Sequence, residues 1–557
     1  MKQYEIDGVP ALFVKATGPL RAGLMFRVGR VDEPLPLAGV SHLAEHLALH
    51  RHGLMDHHAN ATVDATTTHF HTSGTAAEVV TYFAKLCTGL IDLPVDRLGV
   101  VREILRTEAA GRGGGVNASL PLWRYGAQGY GLVSYAEFGL NQISGDDVRS
   151  WVTENFTRAN AVLWVAGDDV PADLRLDLPP GRRRPLPAPT SALPDTPAYY
   201  HAPVDGIVMD TVVPNGVAGQ LFAALLERAL YRELRLESGI SYTACADYSS
   251  RGDGMATITA YVDALREKHT AAVNGFVDTF RQLAKAGIDE QELNAVRTKA
   301  LQSLAHPEYE ASRLPGVAAN LLTGQPVPTV DEVSEGLRSV TAADVHTVAT
   351  EAYANALLQV PYGVPADTIG FTPAPTTSDA AVEGRRHAAR SGDGQTLIVA
   401  DDGVSVTDRS GSALTVRFAE CAARLRWPDG ASVFLGLDGI TVSVEPTLYR
   451  VDALDLAALE RDVPEGLTVT MPERSPDQIP QPERRGLARR PVRKTEFMIL
   501  APITGLLAWA LVSLANAWRP EDGEFAEKLL LVLLVAVAVC FVRVFLVGLY
   551  RIRFGRW

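Results

Sequence analysis

The stretch Gly39–His50, GVSHLAEHLALH, places His42, Glu45 and His46 in an apolar run near the start of a 557-residue chain. On a helix, residues four apart stack one turn above each other and a residue three along sits beside them, so His42, Glu45 and His46 share a face. Two imidazoles so spaced can hold one Zn2+ ion, and a carboxylate beside the second can take a proton from water that the ion acidifies. For this composition a chance H-x-x-E-H arises on the order of a few hundredths of a time per chain. The bland alternative is an amphipathic helix end with surface histidines. It gains weight from the neighbouring His50, His52, His57, His58, His69 and His71.

The chain around this stretch is too long for one core and suggests three or four units of ordinary domain size. Its formal charge is −13 with both signs interspersed, which lacks the basic face that nucleic-acid binding needs. The four cysteines, Cys87, Cys245, Cys421 and Cys540, are far apart and form no C-x-x-C pair. That argues against a disulfide framework and a thiolate zinc knot, and fits a reducing compartment.

Residues 1–182 mix strand-like and helical patterns and close on ANAVLWVAGDD, after which the Pro- and Arg-rich 183–197 reads as an extended connector. A second region of similar size, 198–362, alternates in GMATITAYVDA and has helical periodicity in GQLFAALLERALYREL. A low-complexity linker at 363–395 leads to 396–470, where short alternating segments are separated by DDG, DRSG, PDG and LDG. These are hairpin signals and predict a small all-β domain, for which a pleckstrin-homology-like barrel is one fitting arrangement. Beyond a basic linker at 471–496, Phe497 to Ala517 and Leu529 to Tyr550 are apolar runs of membrane-spanning length. Basic residues flank the pair, including the tail at 551–557, and the connector RPEDGEFAEK is acidic, so the positive-inside rule puts both ends in the cytoplasm. Arg543 lies near the basic end of the second run, where its stem can snorkel. No basic segment followed by an apolar run opens the chain, so a cytosol-facing body on an inner-membrane hairpin is expected.

The surroundings of the first motif extend its meaning. FRVGRVDEPLPLAGVSHLAEHLAL (26–49) resembles the active-site region of the pitrilysin/insulinase family, whose zinc peptidases carry H-x-x-E-H. NATVDATTTHF (60–70) is similar to that family's Asn-Ala strand, and VREILRTE (101–108) to the helix bearing its third zinc ligand. The stretch 131–168 resembles the close of the family's first domain, and LYRELRLESGISYTACADYSS (230–250) its second-domain Arg and Tyr segment. The likeness spans roughly residues 1 to 362.

The resemblance implies an α+β fold of two tandem αβ metallopeptidase-like domains, each a mixed sheet with helices packed on it, followed here by the β domain and the hairpin. It implies that His42, His46 and Glu108 hold Zn2+, that Glu45 is the general base, and that Arg235 and Tyr242 face the substrate and stabilise the oxyanion. Asn60 would contact substrate or support a ligand. The position seven before Glu108 is usually acidic and here is Val101, with Glu103 nearby on another face. The His46-to-Glu108 interval is also shorter than usual, which reads as a trimmed loop. Family members close a chamber from two such halves, so a homodimer, or a heterodimer with a related subunit, is implied, with Arg235 and Tyr242 serving the partner's metal. Two functions follow: a membrane-anchored zinc metalloendopeptidase acting on peptides, or a peptide-binding scaffold that has lost turnover, which Val101 favours.

Overall fold

Asp7 and Gly8 both take positive φ, 50° and 83°. This is the two-residue hairpin turn that Asp-Gly favours, and it folds β1 (Lys2–Ile6) back onto β2 (Val9–Lys15). The computed structural model describes residues 1–53, 58–111, 115–366 and 369–482, and all the elements below belong to the unit Met1–Pro482. In the first domain β3 (Leu20–Phe26), β4 (His58–Val63), β5 (Thr68–Gly74) and β6 (Ala161–Gly167) complete a six-stranded sheet of order β1-β2-β6-β3-β5-β4. Only β2 and β6 pair in parallel. Every residue of β6 is buried, as a central strand covered on both faces requires.

Strand alternation divides the apolar residues between two layers. Leu24, Phe26, Phe70, Leu163 and Val165 face α1 (Val40–Leu49), α2 (Ala76–Ile91), α3 (Leu98–Gly111) and α5 (Gly145–Asn155). Between α3 and α5 lies the short α4 (Leu120–Tyr125). Between sheet and helices Phe26, Phe70 and Phe156 pack edge-on and tilted, at centroid distances of 5.0 to 6.4 Å. Truncating any one of them to Ala would cost about 3–5 kcal/mol. Leu12, Val14, Met25, Val162 and Trp164 face the other way and are covered by Leu314, Val317, Ala318 and Leu322 of the helix Leu314–Thr323, which belongs to the second domain's chain.

The second domain repeats the pattern. Its strands are β7 (Ala198–Ala202), β8 (Gly206–Pro214), β9 (Ala244–Ser250), β10 (Met255–Asp263), β11 (Leu357–Pro361) and β12 (Thr372–Pro373), in the order β12-β7-β11-β8-β10-β9. Here β7 pairs in parallel with both β11 and β12, and the other pairings are antiparallel. Helix α6 (Val217–Leu230) follows β8 as α1 follows β3, and runs on into a π-helical turn, Tyr231–Glu237. The far face of this sheet is covered by α4 of the first domain: Leu120 packs on Ala198, Val208 and Leu357, and Trp123 stacks on Tyr200 at 4.6 Å. Beside them Arg124 and Asp210 form a buried ion pair across the two domains, Nη2 to Oδ1 2.5 Å. Each domain therefore lends a helix to the other's sheet.

The third unit contains β13 (Arg385–Ala388), β14 (Thr396–Ala400), β15 (Gly403–Thr407) and β16 (Ala413–Arg417) in one antiparallel meander. A second meander follows, of β17 (Cys421–Arg426), β18 (Ser432–Gly436) and β19 (Thr441–Val444). The helix Ala453–Asp462 then leads to β20 (Thr468–Thr470), parallel to β17. Leu397, Val404, Val416, Phe418, Phe434 and Val442 fill the space between the sheets.

Two expectations change. The predicted linker 363–395 is only in part a linker, since Thr372 and Pro373 extend the second sheet and Arg385–Ala388 begins the third unit. Ile369, Phe371, Ala374 and Val382 are buried there, a sparse set of apolar anchors hidden among Pro, Thr and Gly. The third unit is also not all-β: Asp452 caps the helix Ala453–Asp462, accepting the N–H groups of Leu454 and Asp455. The connector 183–197 has no regular secondary structure before Ala198 yet is bound to the body, with Arg184 donating to Asn155 at 2.7 Å and Leu193 buried. Cys87, Cys245 and Cys421 are free thiols, and Cys540 lies outside the described residues. Among the described residues no helix is long and apolar enough to cross a membrane. The expected hairpin at 497–550 and the tail at 551–557 lie outside them.

Candidate metal centre

The backbone first sets α1 in place. Arg27, fully buried, clasps Asp32 (Nη1 to Oδ2 2.7 Å) and the carbonyls of Thr66 and Pro185, fixing the turn before the helix. Gly39 stands at the helix N-cap with φ 97°, a conformation open to glycine at little cost. Glu33 supplies what a glycine cap lacks: its carboxylate accepts the N–H groups of Gly39 at 2.7 Å and Ser41 at 3.0 Å. Burial pushes this carboxyl up to about 7, against those hydrogen bonds, which favour the anion. Ser41 Oγ accepts the indole N–H of Trp151 on α5 at 3.0 Å. At the far side Gly89 lets α2 approach so closely that a Cβ there would sit 2.4 Å from the Ala48 carbonyl oxygen.

On this anchored helix His42 and His46 present their rings edge to face, centroids 5.0 Å apart. Glu108, from α3, brings Oε2 to 3.6 Å from His42 Nε2 and 3.7 Å from His46 Nε2. One ligand atom from each of the three lies within 4.8 Å of the others. A tetrahedral Zn2+ with bonds of about 2.0–2.1 Å needs donors roughly 3.3 Å apart, so the set fits with small side-chain shifts. Glu45 lies against it, Oε2 4.0 Å from His42 Nε2, and both side chains are buried.

The other ring nitrogen of His42 is also engaged. Nδ1 is 2.9 Å from Oε1 of Glu137, which immediately precedes the 310 turn Phe138–Asn141. Burial alone would lower the pKa of His42, but the Glu137, Glu45 and Glu108 carboxylates outweigh it and raise it. Val101, two turns before Glu108 on the same helix, is buried in the apolar core. Glu103 is exposed and bonded to Arg106 at 2.5 Å.

The remaining expected residues fall elsewhere. Asn60 sits on edge strand β4 opposite His71, on the sheet face away from Ala61, which packs in the core with α1; its Oδ1 accepts the Ala61 N–H. Arg235, in the π-helical turn, lays its guanidinium over Tyr242 at 4.4 Å and Tyr231 at 4.8 Å. The Tyr242 side of this stack is open, with 74% of the residue exposed. The structure thus gathers His42, Glu45, His46 and Glu108 in the first domain and pairs Arg235 with Tyr242 in the second. Sequence reasoning missed Glu33 and Glu137. Glu33 carried a signal, an acid six residues before the helix-starting glycine, whereas Glu137 bears no fixed spacing to the motif.

A family model described as the Peptidase M16 inactive domain matches residues 208–300. That segment holds Arg235 and Tyr242 and none of the metal cluster. Among curated proteins none matches the chain. Among solved structures, a protease from Helicobacter pylori superposes with TM-score 0.54 at 15% identity over 65% of this chain and 99% of that one. The first half of the periplasmic protease PqqL from Escherichia coli gives TM-score 0.52 at 14% identity over 65% of this chain and 91% of that one. The whole of PqqL gives TM-score 0.54 at 13% identity, 75% of this chain matching 55% of that chain. The fold is a mixed α+β arrangement resembling M16 peptidase domains.

Proposed function

We propose that this chain is one half of an M16-type zinc metalloendopeptidase, held at the inner membrane by its C-terminal hairpin with the peptidase domains on the cytoplasmic side. The observation that carries the reading is the convergence of His42, His46 and Glu108, three donors within 4.8 Å on a rigid helical frame. Bound Zn2+ would supply Lewis acidity, polarising a peptide carbonyl and acidifying a water. His42 and His46 would hold the ion through Nε2, and Glu108 through a carboxylate oxygen. Glu45, buried beside them, would accept the proton of the attacking water at its carboxylate and return it to the leaving amine. Tyr242 would donate its hydroxyl hydrogen bond to the developing oxyanion, with Arg235 orienting the ring it covers.

Pairing is part of the proposal. This chain matches about half of PqqL, and Tyr242 of its Arg235–Tyr242 stack is exposed on the second domain, as a group acting across an interface would be. The flanking Lys and Arg residues support the membrane orientation. A second reading, a peptide-binding subunit without turnover, draws on buried Val101 where an acid is usual. Zinc content and peptide hydrolysis of the full-length protein test both: one Zn2+ per chain with cleavage abolished in Glu45→Gln supports the peptidase. Stoichiometric zinc and peptide binding without cleavage supports the subunit, and full activity in Glu45→Gln removes Glu45 from the role of base.

A further inference from the structure

Helix α3 brings one carboxylate to the cluster, Glu108, while Val101 two turns earlier is buried in the apolar core. A second carboxylate nevertheless reaches the site from a different element. Glu137 Oε1 lies 2.9 Å from His42 Nδ1, on the ring edge opposite Nε2. An ionised carboxylate only accepts hydrogen bonds, so it selects the tautomer with the proton on Nδ1 and leaves the Nε2 lone pair directed toward Glu108.

The approach is built into the local backbone. Gly39, at the start of the His42 helix, has no side chain where a Cβ would stand 2.9 Å from the Glu137 Cβ and 3.1 Å from the Leu140 side chain. The Glu137 carbonyl accepts the Leu140 N–H at 3.1 Å, and Arg30 holds the Tyr135 carbonyl at 2.8 Å. On its outer side the same segment docks on the third unit. Tyr135 and Phe138 pack against the cluster of Leu425, Leu435 and Val469, and the Ala127 N–H donates to the Leu437 carbonyl at 3.0 Å. A turn without helical support of its own is thereby clamped between the metal helix and the β unit.

We propose that Glu137 is the positioning residue of the metal centre, fixing the His42 ring and tautomer for metal binding from the segment that the third unit clamps. The inference rests on the zinc reading above. Carboxylates that orient a metal-bound histidine contribute roughly 10–100-fold to metal affinity.

The test measures Zn2+ affinity of the full-length protein by chelator competition, and the visible spectrum of the Co2+-substituted protein, for wild type, His46→Ala, Glu137→Gln and Glu137→Ala. Glu137→Ala should weaken Zn2+ by roughly 10–100-fold and alter the Co2+ spectrum. Glu137→Gln, whose amide oxygen can still accept from Nδ1–H, should recover part of that loss. The isosteric Gln variant keeps the test open if the Ala variant fails to fold. Wild-type affinity and spectrum in both Glu137→Gln and a folded Glu137→Ala would overturn the proposal alone, and where the Ala variant does not fold, wild-type affinity and spectrum in Glu137→Gln would do so. Wild-type protein that takes up no more metal than His46→Ala would overturn the zinc reading beneath it.

Discussion

Glu33 holds Ser41 by its backbone, the Oε1 of one accepting the N–H of the other at 3.0 Å, and so fixes the first turn of the helix that carries His42 and His46. The carboxyl is completely buried and pushed up to about 7 from an ordinary 4.5. Between those values the folded protein binds more protons at this site than the unfolded chain does. The contribution is therefore fully present below about pH 4.5 and is lost as pH rises through about 7. Denaturant midpoints measured from pH 5 to 8 should fall in the wild type and flatten in Glu33→Gln. An unchanged slope in the variant would assign the effect to other groups.

Glu103 and Glu108 lie on one helix with opposite surroundings, and removing each should have opposite consequences. Glu103→Ala breaks an exposed pair with Arg106 and should leave zinc stoichiometry unchanged, at a cost of at most about 1 kcal/mol. Glu108→Ala should abolish tight binding. Metal analysis after dialysis against a weak chelator separates the two, and loss of zinc in the Glu103 variant instead would move the third ligand.

If the Arg235–Tyr242 stack serves a partner's metal, activity can be rebuilt from two defective chains. His46→Ala and Tyr242→Phe, each nearly inactive alone, should regain about a quarter of wild-type activity when mixed and allowed to exchange, because half the dimers then carry one intact site of two. No recovery in subunits shown to exchange would confine Tyr242 to its own chain or to no role.

Gly89→Ala probes the frame without touching a ligand. The added methyl meets the Ala48 carbonyl at 2.4 Å, so α1 and α2 must separate, at a cost of about 1–3 kcal/mol. Urea denaturation should show the loss of stability, and weaker zinc binding should accompany it because α1 moves.

What the sequence made legible was local. His42, Glu45 and His46 share a face by helical arithmetic, and the hairpin turns at DDG and DRSG joined β14, β15 and β16 where expected. Glu108 was reached only through resemblance, since no periodicity links it to α1 across the intervening sheet and helix. Glu137 escaped because its contact with His42 depends on a 310 turn, a left-handed glycine and 95 residues of separation. Arg235 and Tyr242 were named, but the ring stacking that holds them requires a π-helical turn that no spacing rule anticipates. The helix Ala453–Asp462 was overlooked although Asp452 marks its start, because the surrounding turns and alternation read as strands throughout.

The crossed helices also set how this protein can be cut. A fragment ending near residue 182 would strip Leu314, Val317 and Leu322 from Met25 and Trp164, while exporting a helix whose Leu120 and Trp123 have nothing to lie on. Such a piece would be sticky, and zinc binding would fail in it for want of a cover that the next domain's chain supplies. Two complementary fragments produced together should instead find each other, each carrying the cover the other lacks.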